Sequence, residues 1–314
     1  MKSKLLRICT VLLIVTTALF FSASCVSPPE SASPSPTEVI DQLGRTVTLD
    51  KTPQRIISLA PSNTEILFAL GLADQVVAVT DYCNYPPEAE SKQTIGGFST
   101  PSMEEIVALS PDLILATSIH ETKIIPQLEN RGFTVLALNP ETLDEVLEAI
   151  ALTGKITGVE ENASKLATDM QRRIKAVTDK TDSLSQEQRP RVFYVTWHDP
   201  LMTAGAGTRH DELIQKAGGT NIAWNFTGYA DVSLEAVIAA NPEVMIAGVG
   251  MGTGEDLPLQ LAQNEPRLRN TDARKNNRVY AIDVDLAGRP GPRIVDALEK
   301  FAEFIHPELF KEAR

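Results

Sequence analysis

The chain has 314 residues, 43% of them apolar and 22% charged, enough for two domains with ordinary cores. The formal net charge is −12, and leaving out the basic leader residues Lys2, Lys4 and Arg7 takes it to −15. That balance argues against a nucleic-acid partner, which needs a basic face, and leaves a solvated acidic surface or a charge-guided docking surface.

In chain order, Lys2, Lys4 and Arg7 precede the apolar run Ile8 to Phe21 and then Ser22-Ala23-Ser24-Cys25. A basic start, a short apolar core and small residues before a cut predict an export signal over residues 1–24. The run is too short to span a membrane comfortably. The small residues before Cys25 resemble a bacterial lipobox, in which the cysteine is lipidated and becomes the first mature residue. Ser22 stands where leucine is usual in that motif. Residues 25–37 are Ser/Pro-rich and predict a spacer. The expectation is a soluble body held at the cell membrane through lipid on Cys25, with a plain secreted protein as the alternative. Cys9 leaves with the signal, so Cys83 is alone, no disulfide framework exists, and Cys83 reads as a small buried apolar residue.

The body reads as α/β. A hairpin over Val39 to Leu49 turns at Leu43-Gly44, and Arg55 to Leu59 is a short strand. Pro61-Ser62-Asn63 reads as a break, followed by a helix to Leu70 in which Glu65 sits in the first turn as a capping acid. Strand Val76–Thr80 leads to the loop Asp81 to Pro87. A capped helix over Ser102–Ser110, strand Leu113–Ala116, segment Ile124–Asn130, strand Thr134–Leu138 and helix Leu143–Thr153 complete an N-terminal lobe, residues 38–158. Val159, Ala163, Leu166, Ala167, Met170, Ile174 and Val177 then recur at three- and four-residue steps, which predicts one long amphipathic helix over 159–185. Residues 186–314 form a second lobe: strand Arg191–Val195, helix Thr208–Ala217, strand Val279–Ile282 and a final helix Ile294–Ile305. Ser233 to Ala247 repeats Ser102 to Ala116 nearly word for word, aligning Glu104 with Glu235, Pro111 with Pro242 and Asp112 with Glu243. The fold class expected is two Rossmann-like lobes with mainly parallel sheets, joined by one long rigid helix.

Ligands of open α/β sheets lie beyond the carboxyl ends of strands. Tyr82, Tyr85, Phe98, Trp197, His198, Tyr229, Asp285 and Arg289 fall at or near such ends, in a chain only 5% aromatic. Flat aromatics with a few polar groups suit a large, flat, partly apolar ligand, although each ring could instead pack under its own loop. Glu104 and Glu235 open equivalent helices. They are either dipole-favoured acids or matched docking points for a two-fold partner. The four histidines are scattered, and no HxH, HExxH or CxxC spacing exists, so no metal site and no resident cofactor is expected. His198 reads as a hydrogen-bonding loop residue or a ligand to a metal that the cargo carries. Gly248, Gly250, Gly252 and Gly254 match neither GxGxxG nor a P-loop and read as a loop.

The phrases Arg55-Ile-Ile-Ser-Leu-Ala-Pro-Ser-Asn-Thr-Glu65, Tyr82-Cys-Asn-Tyr-Pro-Pro87, Ser102 to Asp112 and Arg289-Pro-Gly-Pro-Arg293 together resemble the substrate-binding proteins of ABC importers for vitamin B12, haem and iron-siderophores, over residues 38–310. The Tyr-x-x-Tyr-Pro-Pro loop is most similar to the vitamin B12 members. The resemblance implies a binding protein and not an enzyme, with cobalamin or a related corrinoid as ligand and an ABC permease dimer with its ATPase subunits as partner. It implies that Glu104 and Glu235 pair with permease arginines. It also implies that Tyr82, Phe98, Trp197 or a near neighbour, Tyr229, Asp285 and Arg289 line the cleft. Phe98 and Tyr229 stand where tryptophan is expected and Thr117 replaces another aromatic. An altered corrinoid, haem or a siderophore on the same scaffold therefore stays open, as does, further off, an enzyme on paired Rossmann-like lobes.

Overall fold

Short aliphatic runs between capped helices fold as alternating strands and helices. The computed structural model describes residues 36–250 and 256–310. The leader, the lipobox and most of the spacer lie outside the described residues, as do Gly252 and Gly254. Strands β1 (Thr37–Ile40) and β2 (Thr46–Leu49) form an antiparallel hairpin turning through Gly44 at φ +76°. The first lobe is a parallel sheet of β3 (Ile56–Ser58), β4 (Val76–Val79), β5 (Gln93–Thr94), β6 (Leu113–Ala116) and β7 (Val135–Ala137), in the order β5-β4-β3-β6-β7. Its helices are α1 (Pro61–Ala69), α2 (Met103–Leu109), α3 (Ile124–Glu129) and α4 (Leu143–Thr157).

Two local expectations are corrected here. Pro61 does not break the chain but opens α1, where its fixed φ suits the first helical position and its missing N–H costs nothing. Helix α4 runs past Thr153 to a left-handed cap at Gly158, φ +73°. Gly154 lies inside it because a Cβ there would sit 2.4 Å from the Ala163 Cβ of the next helix. Close approach outweighs the helix-propensity cost of glycine, about 1 kcal/mol. Gly154→Val is expected to lower stability by about 1–3 kcal/mol, read as a shifted urea midpoint.

Helix α5 (Glu160–Thr181) is the predicted long helix, about 33 Å at 1.5 Å per residue. Ala163, Met170 and Val177 are buried, and Val159, Leu166, Ala167 and Ile174 pack beside them on the same face. Polar ties fasten both ends. Asn162 donates to the Leu70 carbonyl of the first lobe (2.9 Å), and Thr181 donates to the Lys216 carbonyl of the second (2.7 Å).

The second lobe contains β8 (Arg191–His198), β9 (Leu201–Ala204), β10 (Thr220–Asn221), β11 (Tyr229–Asp231), β12 (Val244–Val249) and β13 (Val279–Asp283), in the order β11-β9-β8-β12-β13 with β10 also on β8. Its helices are α6 (Arg209–Lys216), α7 (Leu234–Ala240), α8 (Leu257–Asn264), α9 (Asp272–Lys275), α10 (Val284–Gly288), α11 (Ile294–Ile305) and α12 (Pro307–Phe310). The path β9-β8-β12-β13 retraces β4-β3-β6-β7, with one change. Strand β9 follows β8 by a tight turn and is antiparallel, where β4 follows a helix and is parallel. The sheet is therefore mixed. Strand β8 runs through Trp197 and His198, so these residues lie on a strand and not beyond its end. Helix α11 buries Ile294, Val295, Leu298, Phe301 and Ile305, and Arg173 of α5 bridges its Asp296 and Glu299 at 2.5 Å each. Gly248 answers to packing: a Cβ there would meet Val284 Cγ1 at 2.6 Å.

Candidate ligand-binding cleft

Sheet geometry puts the open ends of the first-lobe strands opposite α10, which follows β13 directly. Between them lies a cleft of about 440 Å³, lined by Ala60, Pro61, Ser62, Tyr82, Phe98, Ser99, Asp285, Gly288, Arg289 and Pro290. The first lobe supplies an apolar side, with Tyr82 62% exposed and Phe98 half-buried. The second supplies Asp285 and Arg289 from α10 and its end. A larger depression of about 660 Å³ between the β1–β2 hairpin and α4 is lined by residues such as Gln42, Glu145, Glu148 and Lys155 and contains none of the predicted aromatics.

Local hydrogen bonds hold the apolar side. The Thr117 N–H donates to His120 Nδ1 (3.0 Å), so a neutral His120 carries its proton on Nε2 and donates it to the Phe98 carbonyl (2.7 Å). Burial lowers the His120 pKa and favours that neutral form. Its ring meets Phe98 edge-on at 5.4 Å. The Phe98 loop is thereby pinned to the turn that follows β6.

The polar side rests on a buried ion cluster. Glu65, on the inner face of α1, is 3% exposed. Its carboxylate accepts from Arg293 Nη2 (2.6 Å) and Nε (2.9 Å), and from Arg289 Nη1 (3.3 Å). Arg289 also reaches Asn84 Oδ1 (2.7 Å), the Tyr82 carbonyl (3.2 Å) and Asp285 Oδ2 (2.6 Å). The Arg293 guanidinium lies 3.8 Å from the Tyr85 ring centroid, and its pKa is raised, first by the hydrogen bond to Glu65. Reading Glu65 as a capping acid is therefore corrected. It lies beyond the first turn and joins one lobe to the other.

A second seam has the same logic. Arg209 donates to the Pro140 carbonyl of the first lobe and the Gly288 carbonyl of the second, both at 2.8 Å. Glu212 accepts from the Leu143 N–H (2.9 Å), and burial raises its pKa. Partly buried polar groups thus tie one lobe to the other at both seams.

A family model described as Periplasmic binding protein matches residues 56–286. The chain belongs to this family. It is 33% identical over 285 residues to an uncharacterised ABC transporter substrate-binding lipoprotein of Bacillus subtilis, covering 88% of each chain. It is 32% identical over 254 residues to a vitamin B12-binding protein of Vibrio cholerae, covering 80% of this chain and 89% of that one. Among solved structures, a periplasmic vitamin B12-binding protein of Vibrio cholerae superposes with a TM-score of 0.68 at 30% identity, over 83% of this chain and 99% of that one. A periplasmic haem-binding protein holding two haems superposes with a TM-score of 0.72 at 26% identity, over 82% and 100%. This periplasmic binding protein is a substrate-binding component of an ABC transporter and not an enzyme.

Trp197, His198 and Tyr229 of this binding protein lie elsewhere in its second lobe. Trp197 donates Nε1–H to the Asp199 carbonyl (3.0 Å), and its ring lies 4.8 Å from that of His198. His198 Nδ1 is buried without a hydrogen-bond partner. Tyr229 is 49% exposed, and its hydroxyl lies 3.0 Å from Nδ1 of the buried His210. Neither Trp197, His198 nor Tyr229 is among the residues that line the 440 Å³ cleft. Tyr85 is taken up by Arg293. Glu65, Asn84 and Arg293 are the site-supporting residues that sequence reasoning missed. Arg293 stood at the end of a quoted phrase, but nothing in spacing pairs it with a carboxylate 228 residues away.

Proposed function

We propose that this protein, tethered outside the cell membrane by lipid on Cys25, captures a corrinoid between its lobes and delivers it to an ABC permease dimer with its ATPase subunits. On this reading residues 1–24 are an export signal and 25–37 a tether. Residues 38–158 and 186–314 are the lobes, and 159–185 the strut. The observation that carries the reading is one cleft in which Tyr82 and Phe98 face Asp285 and Arg289. Aromatic faces stack on a flat macrocycle, and the acid and guanidinium hydrogen-bond its amide side chains. On this reading Tyr85, Trp197, His198 and Tyr229, which lie outside the lining, contact the parts of the ligand that extend beyond the cleft. The likeness to vitamin B12-binding relatives supports the same choice. Lobes fastened at two seams need little closure, so the ordering cost of binding is small.

Haem is the second reading, favoured by the exposed Tyr229 and the likeness to a haem-binding structure. A tyrosine holds haem iron as phenolate. Tyr229 is not among the residues that line the 440 Å³ cleft, which ranks the corrinoid first. Titration with cyanocobalamin, cobinamide, haemin and a ferric siderophore tests the order. Binding of a corrinoid at micromolar concentration or below is expected; failure of both corrinoids sinks the assignment.

Glu104 and Glu235 are the docking points on this reading. Both are exposed at the start of equivalent helices, as a two-fold partner requires.

A further inference from the structure

The internal repeat is wider in three dimensions than in sequence. Strand β3 pairs with β6 at Ile56↔Leu113, and β8 pairs with β12 at Val192↔Val244, so Arg55 and Arg191 occupy equivalent places. Each is held the same way. The Arg55 N–H donates to Asp112 Oδ1 (2.6 Å) and the Arg191 N–H to Glu243 Oε2 (2.9 Å). Each guanidinium reaches the last carbonyls of the repeated helix: Arg55 to Leu109 (2.7 and 2.9 Å), Arg191 to Ala240 (3.1 Å) and Asn241 (2.9 and 3.0 Å). Each helix then stops at a residue other than glycine in the left-handed region, Ser110 at φ +46° and Asn241 at φ +45°. An arginine at a helix C-terminus satisfies carbonyls that the helix leaves open and complements its dipole. Helices α2 and α7 are therefore clamped in one matched pose on both lobes.

Their outward faces match as well. Ile106 and Val237 are buried, while Val107 (44% exposed) and Ile238 (37% exposed) point outward. Three residues apart, Glu104 and Val107 are neighbours on one helix face, and so are Glu235 and Ile238. One apolar residue in water is unremarkable. A β-branched one beside an exposed acid, repeated at the same place on two rigid supports, is a pattern. The supports differ at the acids: Arg267 Nη1 lies 3.4 Å from Glu235, whereas no ion pair to Glu104 exists among the described residues.

We propose that Val107 and Ile238 are paired apolar anchors for a two-fold membrane dimer that presents, on each copy, a basic side chain beside a small apolar depression. This rests on the docking reading above and adds that charge alone does not hold the complex. The occupant follows from charge complementarity to the two acids and from the duplication, which a partner without two-fold symmetry would not use.

The test uses the full-length chain in cells of its source organism, with p-benzoylphenylalanine in place of the exposed Glu105. The readout is the yield of a photo-adduct with an ABC permease subunit identified by mass spectrometry. V107D/I238D is expected to cut that yield tenfold or more, as is E104K/E235K, while V107I/I238V keeps it. The melting temperature of the purified V107D/I238D protein should stay at the wild-type value, which separates lost docking from misfolding. An adduct that survives V107D/I238D but not E104K/E235K overturns the anchors and leaves the docking reading intact. Survival in both overturns the two together.

Discussion

Glu65→Ala is expected to lose about 3–5 kcal/mol of folding stability, because it strands Arg293 without a carboxylate partner and takes one of two from Arg289. The Glu65 side chain is 2% exposed, against 13% for Arg289 and 19% for Arg293, so water reaches the cluster poorly. Glu65→Gln keeps the volume and one acceptor but removes the charge, and should lose nearly as much. The effect does not stop at stability. Arg289 owes its position in the cleft to Glu65, Asn84, Tyr82 and Asp285 together. With Glu65 gone, its guanidinium keeps Asn84, the Tyr82 carbonyl and Asp285 but loses its hold on α1, and affinity for cyanocobalamin should fall about tenfold, the worth of roughly one hydrogen bond to a charged group. Guanidinium denaturation and a cyanocobalamin titration of the same variant give both numbers. Wild-type stability in Glu65→Ala would show that the cluster does not join the lobes.

The second large effect is a loss of stability in mild acid centred on His210. Burial first, and the neighbouring Arg209 charge second, bring its pKa down from 6.5 to about 3. The folded protein thus holds the imidazole neutral, 3.0 Å from the Tyr229 hydroxyl and 4.2 Å from the Tyr194 ring. The unfolded chain takes up a proton near pH 6.5 and the folded chain does not until about pH 3. Stability is full above pH 6.5 and falls as the pH drops through the window between the two values. At 1.36 kcal/mol per unit, the loss at pH 4 is on the order of 3 kcal/mol. The pKa of His120 is lowered by burial too and acts in the same direction. Urea midpoints of wild type and His210→Asn between pH 7 and pH 4 isolate the His210 share, since the carboxylates common to both cancel. Parallel curves for the two proteins would mean that His210 is solvated.

Much of the architecture is readable without coordinates because its signals are local. Helix α5 has one apolar face over six turns, and burial of Ala163, Met170 and Val177 follows from that spacing alone. The repeat is legible because the same cap, acid and breaker recur in order. The mixed character of the second sheet is not legible. A two-residue turn at Asp199-Pro200 sends β9 back along β8, and period-two apolar patterns look alike in either direction. Helix α1 is misjudged at its start because proline interrupts some elements and opens others.

Sequence by itself determined the class of protein and the chemistry at hand: two α/β halves, a stiff connector, aromatics at strand ends and matched acids on duplicated helices. Each follows from neighbours within a few turns or one strand. Only the tertiary structure decided which of those residues meet. It gathers Tyr82, Phe98, Asp285 and Arg289 into one cleft, leaves Trp197 and Tyr229 outside its lining, and turns Glu65 from a helix-start acid into the joint between lobes. The physical reason is that an ion pair acts over a few ångströms of space, and residues more than two hundred positions apart carry no local trace of the partner that folding brings to them.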